Sequence, residues 1–236
     1  MKRAKRWNFI ETNLIYDFQY GRFDDNKIDR YLNDIERKRL YNALDDRENE
    51  LKSKRNSGND WRKKRGYELM SDFVGDRYVD HLRPLIILAL NTGLRRGELF
   101  LLSWKNVDLK AKQITVASTT AKSKKTRYVP LNSEALSTLR TWHKQTGDSE
   151  YVFPNKNGEP LTDVKHSWAS LLERAGITDF RFHDLRHDFA SQLVKKGVSL
   201  YVVKDLLGHS TIQMTERYAH LAPKQLEDAV NLLNDK

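Results

Sequence analysis

The 236-residue chain carries 42 Lys and Arg against 32 Asp and Glu, a formal net charge of +10, with 39% apolar residues and no cysteine. At about 100–200 residues per domain that is one large domain or two small ones, and the lack of cysteine excludes disulfides, thiol catalysis and cysteine-ligated zinc, which suits a reducing compartment. The longest apolar run, Leu85–Leu90, is six residues where about 20 are needed to span a bilayer, and the basic start is followed by no apolar signal-peptide core; the excess positive charge points instead to a polyanionic partner.

Residues 1–30 read as short helical fragments and turns. From Tyr31 a helix is expected, with Leu32, Ile35, Leu40 and Leu44 at near-helical spacing and Asn33 or Asp34 as its cap. The basic stretch 52–66 reads as an exposed loop or an extension of that helix. Asp80 to Leu90 predicts a buried helix with Pro84 in its first turn, stopped by Asn91-Thr92-Gly93, and a second helix runs from Leu94 or Arg95 to about Ser103. Val107–Leu109, Gln113–Ala117 and Thr126–Pro130 predict a small antiparallel sheet. Helices are then expected at about 133–145, 162–175, 184–196, 199–207, 211–219 and 223–234. The fold class is mainly α with a small antiparallel β-sheet, an α+β arrangement.

Three local patterns carry chemistry. In Thr92-Gly-Leu-Arg-Arg-Gly-Glu-Leu99, Gly93 ends one helix and Arg95 starts the next, with Glu98 at i+3 to orient its guanidinium. In Phe182-His-Asp-Leu-Arg-His-Asp-Phe-Ala190, His183 and Arg186 share a helix face and can grip a phosphate, while Leu185, Phe189 and Leu193 bury the other side. In Leu207-Gly-His-Ser-Thr-Ile-Gln-Met-Thr-Glu-Arg-Tyr-Ala219, Gly208 terminates a helix, His209 sits in a tight turn, Ser210 and Gln213 have capping-box spacing, and Tyr218 follows about two turns later. Read singly, each has an ordinary structural explanation: an ion pair, a surface Arg/His pair, a core tyrosine.

Together, from about Tyr31 onward, they resemble the tyrosine recombinases and phage integrases. The resemblance implies that family's catalytic-domain fold and its activity, a site-specific DNA strand transfer for integration or excision through a 3′-phosphotyrosine. Position by position, it implies Arg95 as the first catalytic arginine, His183 and Arg186 as the His-x-x-Arg pair, His209 as the second histidine and Tyr218 as nucleophile; Arg96 does not match. The hairpin lysine falls among Lys122, Lys124 and Lys125, with Lys122 favoured and Lys124 its rival. Arg95, Arg186 and His209 would stabilise charge on the phosphate oxygens, His183 would take the tyrosine's proton, and the lysine would protonate the leaving 5′-oxygen. Neither metal nor ATP is called for, so no cofactor is expected.

The implied partner is double-stranded DNA, with no membrane, and six basic residues without an acid between Lys110 and Arg127 agree with that. Accessory DNA-bending proteins and a homotetramer on DNA are also implied, the latter through a C-terminal tail whose Leu226, Ala229, Val230 and Leu233 form an apolar stripe. The expected location is the cytoplasm of a bacterium, on DNA. Residues 1–30 are expected to be the last piece of an N-terminal core-binding domain and its linker, and 31–236 the catalytic domain, as in a remnant of a longer integrase. A non-catalytic DNA-binding regulator or defective prophage remnant, and a type IB topoisomerase-like enzyme, are the alternative functions; an RNA-binding module lacks the aromatic strand pattern it needs.

Overall fold

The computed structural model describes residues 30–117 and 125–223, apart from 74 and 76, together with Trp7. Lys122 and Lys124, the expected tail helix at 223–234 beyond its first residue, and the fragments expected before residue 30 (other than Trp7) lie outside the described residues.

Helix α1 (Asp34–Lys63) is 30 residues, about 45 Å long. Asn33 starts it with a full capping box: its side chain accepts from the Glu36 N–H, and the Glu36 carboxylate accepts from the Asn33 N–H. The basic stretch up to Lys63 is therefore a helix extension, and only its last residues turn away at Gly66. Leu32, Leu40 and Leu44 are buried as expected, but Ile35 is 71% exposed. At 100° per residue Ile35 lies about 180° around the helix from Leu44, so near-helical spacing put it on the wrong face.

Helix α2 (Leu82–Thr92) is the centre of the core, with nearly every side chain buried, and Gly93 ends it in the left-handed conformation (φ 61°). Helix α3 is much shorter than expected, Arg96–Phe100. The chain leaves it because Ser103 pairs in a β-bridge with Tyr151 and the Val152 N–H donates to the Leu102 carbonyl. Strands β1 (Val107–Asp108), β2 (Gln113–Val116) and β3 (Arg127–Pro130) form an antiparallel sheet in the order β1-β2-β3, with Ile114 opposite Val129 and Val116 opposite Arg127.

Helices α4 (Ser133–Thr146), α5 (Lys165–Ala175), α6 (Asp184–Lys195) and α7 (Leu200–Leu207) follow. Helix α5 starts at Lys165 rather than 162, because the Asp163 carboxylate accepts from the N–H groups of Val164 and Lys165 and fixes the start there. The expected helix at 211–219 is only a single turn, α8 (Gln213–Glu216), with a 3₁₀ turn at Ala219–Leu221. Its capping box does not form: the Ser210 hydroxyl lies 3.6 Å from the Met214 sulfur, and Ile212 occupies the cap position.

The main core gathers α1, α2, the sheet, α4 and α5. A smaller cluster of Phe189, Ala190, Val194, Val203, Leu207 and Tyr218 joins α6 and α7 to the segment after α8. Among the described residues, no helix is long and apolar enough to cross a membrane.

Candidate active site

Helix α7 organises the site. A helix leaves its last carbonyls without intrahelical partners, and its C-terminus carries partial negative charge. Here Gly208 (φ 65°) turns the chain so that the Gly208 and His209 N–H groups donate to the carbonyls of Asp205 and Lys204. Three arginines take the next three carbonyls in succession. Arg127 Nε donates to Leu206 at 3.0 Å, Arg186 Nη2 to Leu207 at 2.7 Å, and Arg95 Nη2 to Gly208 at 3.3 Å. Arg186 also donates from Nη1 to the Gly93 carbonyl at 2.7 Å, which ties the end of α2 to the end of α7.

Such a concentration of positive charge needs a counter-charge, and Glu98 supplies it. Its two oxygens accept from Arg127 Nη1 and Nη2 at 3.0 and 2.7 Å, from Arg95 Nη1 at 2.9 Å and from the Arg95 backbone N–H at 2.8 Å. Burial pushes the Glu98 carboxyl up, but the hydrogen bonds and charge of Arg127, with those of Arg95, outweigh it and hold the group below its ordinary value. The expected Arg95–Glu98 contact is therefore present, and Arg127 shares it. Burial, with Arg95 and Arg127 nearby, lowers the pKa of Arg186, which is 5% exposed; arginine starts high enough to stay charged at neutral pH.

Between these elements lies a cleft of about 580 Å³ whose wall includes Arg95, His183, Arg186, His209, Arg217 and Tyr218. Five of the six residues expected for the site thus meet in one place, from segments as distant in sequence as Arg95 and Tyr218. The sixth, Lys122, lies outside the described residues. Lys125, close by in sequence, lines an adjoining cleft of about 320 Å³ that shares Gly208, His209 and Ser210 with the first. Arg96 turns elsewhere, its guanidinium over the Phe100 ring at 5.9 Å.

Both expected histidines sit in a cationic, half-buried setting. Burial, then the charges of His187 and Arg186, lower His183 to about 4; burial, then Arg186 and Arg95, lower His209 to about 3. Both values favour the neutral ring at pH 7. His209 Nδ1 is 2.8 Å from the buried Thr215 hydroxyl, which holds the ring and leaves Nε2 to face a ligand. Tyr218 is only 1% exposed, and its ring packs in the smaller core cluster. Its hydroxyl is 2.6 Å from Nδ1 of His187.

His187 and Arg127 belong to this arrangement although the sequence reading did not assign them. His187 stands at i+4 from His183, so helical spacing alone places both on one face of α6. Arg127 had no comparable local signal: its partners Glu98 and Leu206 are 29 and 79 residues away. A third unassigned residue, Asp188, is fully buried and accepts from the Leu32 N–H at 3.0 Å and from the Arg37 guanidinium, pinning α6 to the start of α1.

Comparison with known proteins agrees with this geometry. Residues 63–225 match the model of the phage integrase family. The integrase of Salmonella phage P22 is 36% identical over 167 residues, a match covering 65% of this chain and 42% of that protein. The tyrosine recombinase XerC of Xanthomonas axonopodis pv. citri is 36% identical over 144 residues, covering 59% of this chain and 46% of that protein. The chain thus matches less than half the length of these relatives. Among solved structures, the catalytic domain of bacteriophage HP1 integrase superposes with a TM-score of 0.55 at 29% identity, over 85% of this chain and 93% of that one. The chain belongs to the phage integrase family and has the tyrosine recombinase catalytic-domain fold.

Proposed function

We propose that the chain, with residues 31–236 as its catalytic domain, cuts and rejoins double-stranded DNA at specific sites by transesterification through Tyr218. The observation that carries this reading is the single cleft that brings Arg95, His183, Arg186, His209 and Tyr218 together. A similar fold in the XerH site-specific recombinase bound to its difH substrate supports DNA as the partner.

The chemistry follows from the charges. A phosphodiester is an anion, and attack by a tyrosine oxygen builds more negative charge on its non-bridging oxygens. Arg95 and Arg186, already fixed in place by Glu98 and the carbonyls of Gly93, Leu207 and Gly208, meet that charge without reorganising, and His209 adds a neutral donor. The Tyr218 oxygen forms a bond to phosphorus, the bond to the 5′-oxygen breaks, and the leaving oxygen takes a proton from the hairpin lysine, Lys122 or its rival Lys124. Rejoining runs the same steps backwards. Bond energy is kept in the phosphotyrosine, so no ATP enters.

Assembly into a homotetramer on DNA is part of the same proposal; it rests on the apolar spacing of Leu226, Ala229, Val230 and Leu233, and light scattering of DNA complexes with and without residues 222–236 tests it.

The test of the reaction uses nicked duplexes with randomised sequence near the nick, so that the short downstream strand diffuses away after cleavage. The expected result is an SDS-resistant protein–DNA band that is absent for Tyr218→Phe. DNA binding with no such band would favour the non-catalytic regulator instead.

A further inference from the structure

Resting on the transesterification reading above, we propose that His187 is the group that accepts the proton of the Tyr218 hydroxyl as it attacks the phosphate. The contact is direct, 2.6 Å between Nδ1 and the hydroxyl oxygen, and the two ring centroids lie 6.0 Å apart at 49°. Proton acceptance by Nδ1 requires the neutral ring protonated on Nε2, with the hydroxyl as donor.

The surroundings make an acceptor necessary. A tyrosine hydroxyl has a pKa near 10 in water, and at 1% exposure the phenolate would lose its hydration as well. Its proton must therefore leave as the oxygen–phosphorus bond forms, to a base already in hydrogen-bond reach. His187 is held there from both sides. The next residue, Asp188, anchors α6 through Leu32 and Arg37, and the His183 ring stands edge-on to His187 at 5.4 Å. His183, the base expected from the family pattern, is one helical turn away. Its burial, with the Arg186 charge beside it, lowers it to about 4.

The groups facing His187 determine when it can hold a proton. His183 at the cap of α6, Arg186 on the same helix, His209 in the turn after α7, Arg217 and Tyr218 after α8, and Arg95 at the start of α3 line the same cleft as His187. The fixed charges in this set are positive and oppose an imidazolium. A bound phosphodiester brings negative charge into the same cleft, which favours a protonated imidazole there. The proton balance closes: cleavage moves the hydroxyl proton to His187 while the lysine protonates the 5′-oxygen, and rejoining returns both.

Two measurements test the assignment. In the free protein, histidine ¹⁵N NMR at neutral pH, with the resonance identified by its loss in His187→Gln, is expected to show Nε2 protonated and Nδ1 bare. A proton on Nδ1 would make the tyrosine oxygen the acceptor and overturn the proposal. In single-turnover cleavage of nicked DNA, His187→Gln is expected to form the covalent adduct about 100-fold or more slowly, with wild-type circular dichroism and DNA affinity. The wild-type rate is expected to rise with pH as the base loses its proton, and that rise is expected to disappear in the variant. A variant rate within about threefold of wild type, a faster rate, or an unchanged pH profile would overturn the role of His187 while leaving the phosphotyrosine reaction standing. A wild-type protein that binds DNA but forms no adduct would overturn the reaction and the inference together.

Discussion

Glu98 is a single carboxylate shared by two arginines, only one of which faces the cleft. Arg95 lines the cleft, while the largely buried Arg127 lines the adjoining one and holds both Glu98 oxygens and the Leu206 carbonyl. Arg127→Gln removes these bonds and leaves a buried carboxylate short of a partner, so it should cost roughly 3 kcal/mol of stability. A urea midpoint equal to that of the wild type would contradict this. The histidines make a second prediction at this scale. His183 and His209 have folded-state values near 4 and 3, below the ordinary 6.5. Above pH 6.5 both are neutral whether folded or unfolded; as the pH falls below it the unfolded chain binds protons that the folded one refuses, and stability is lost down to the folded-state values. Buried Glu48 and Asp188, whose carboxyls burial raises, act in the opposite sense. The informative quantity is therefore a difference: His209→Asn should show a smaller fall in denaturation midpoint between pH 7 and pH 5 than the wild type. Equal falls would count against the shift. Arg95, His183, Arg186, His209 and Tyr218, which meet in one cleft, were legible in the sequence because each sits in a short motif with fixed spacing; the hairpin lysine, among Lys122, Lys124 and Lys125, had no such fixed spacing. His187 and Arg127 were not read, since their roles depend on contacts that only the folded chain makes, across 31 residues for the first and up to 79 for the second.

At the scale of elements, the C-terminus of α7 is where sequence and site meet. Gly208 has φ 65°, and a Cβ there would lie 2.9 Å from Cδ of Arg127. Gly208→Ala combines the left-handed penalty with displacement of a buried guanidinium, and should destabilise by about 1–3 kcal/mol. A loss under about 0.5 kcal/mol would show that the arginine clamp is more tolerant than its packing indicates. The long, strongly patterned helices were legible from apolar spacing and their caps, α2 with its stop at Gly93 among them. The short ones were not. Helix α3 gives way to a pairing of Ser103 with Tyr151, 48 residues on by number, and α8 is a single turn because Thr215 is drawn in to the His209 ring. In the first a long-range pairing, and in the second a side-chain contact six residues away, overrides a local preference that spans barely two turns.

Over the whole molecule, the cleft lies where the small α6–α7 cluster meets the main core, and Tyr218 belongs to the small cluster. The chain's net charge of +10 suits a polyanionic partner. If six to ten phosphate contacts form, DNA affinity should fall by about 10³–10⁵ between 50 and 200 mM salt. An affinity nearly independent of salt would argue that binding does not depend on this charge. The reaction turns on one oxygen atom, and nuclease digestion of the trapped protein–DNA complex, followed by tandem mass spectrometry of the nucleotide-bearing peptide, identifies it. A 3′-phosphonucleotide is expected on the hydroxyl of Tyr218. Attachment at any other residue, or through the 5′-phosphate, would contradict it.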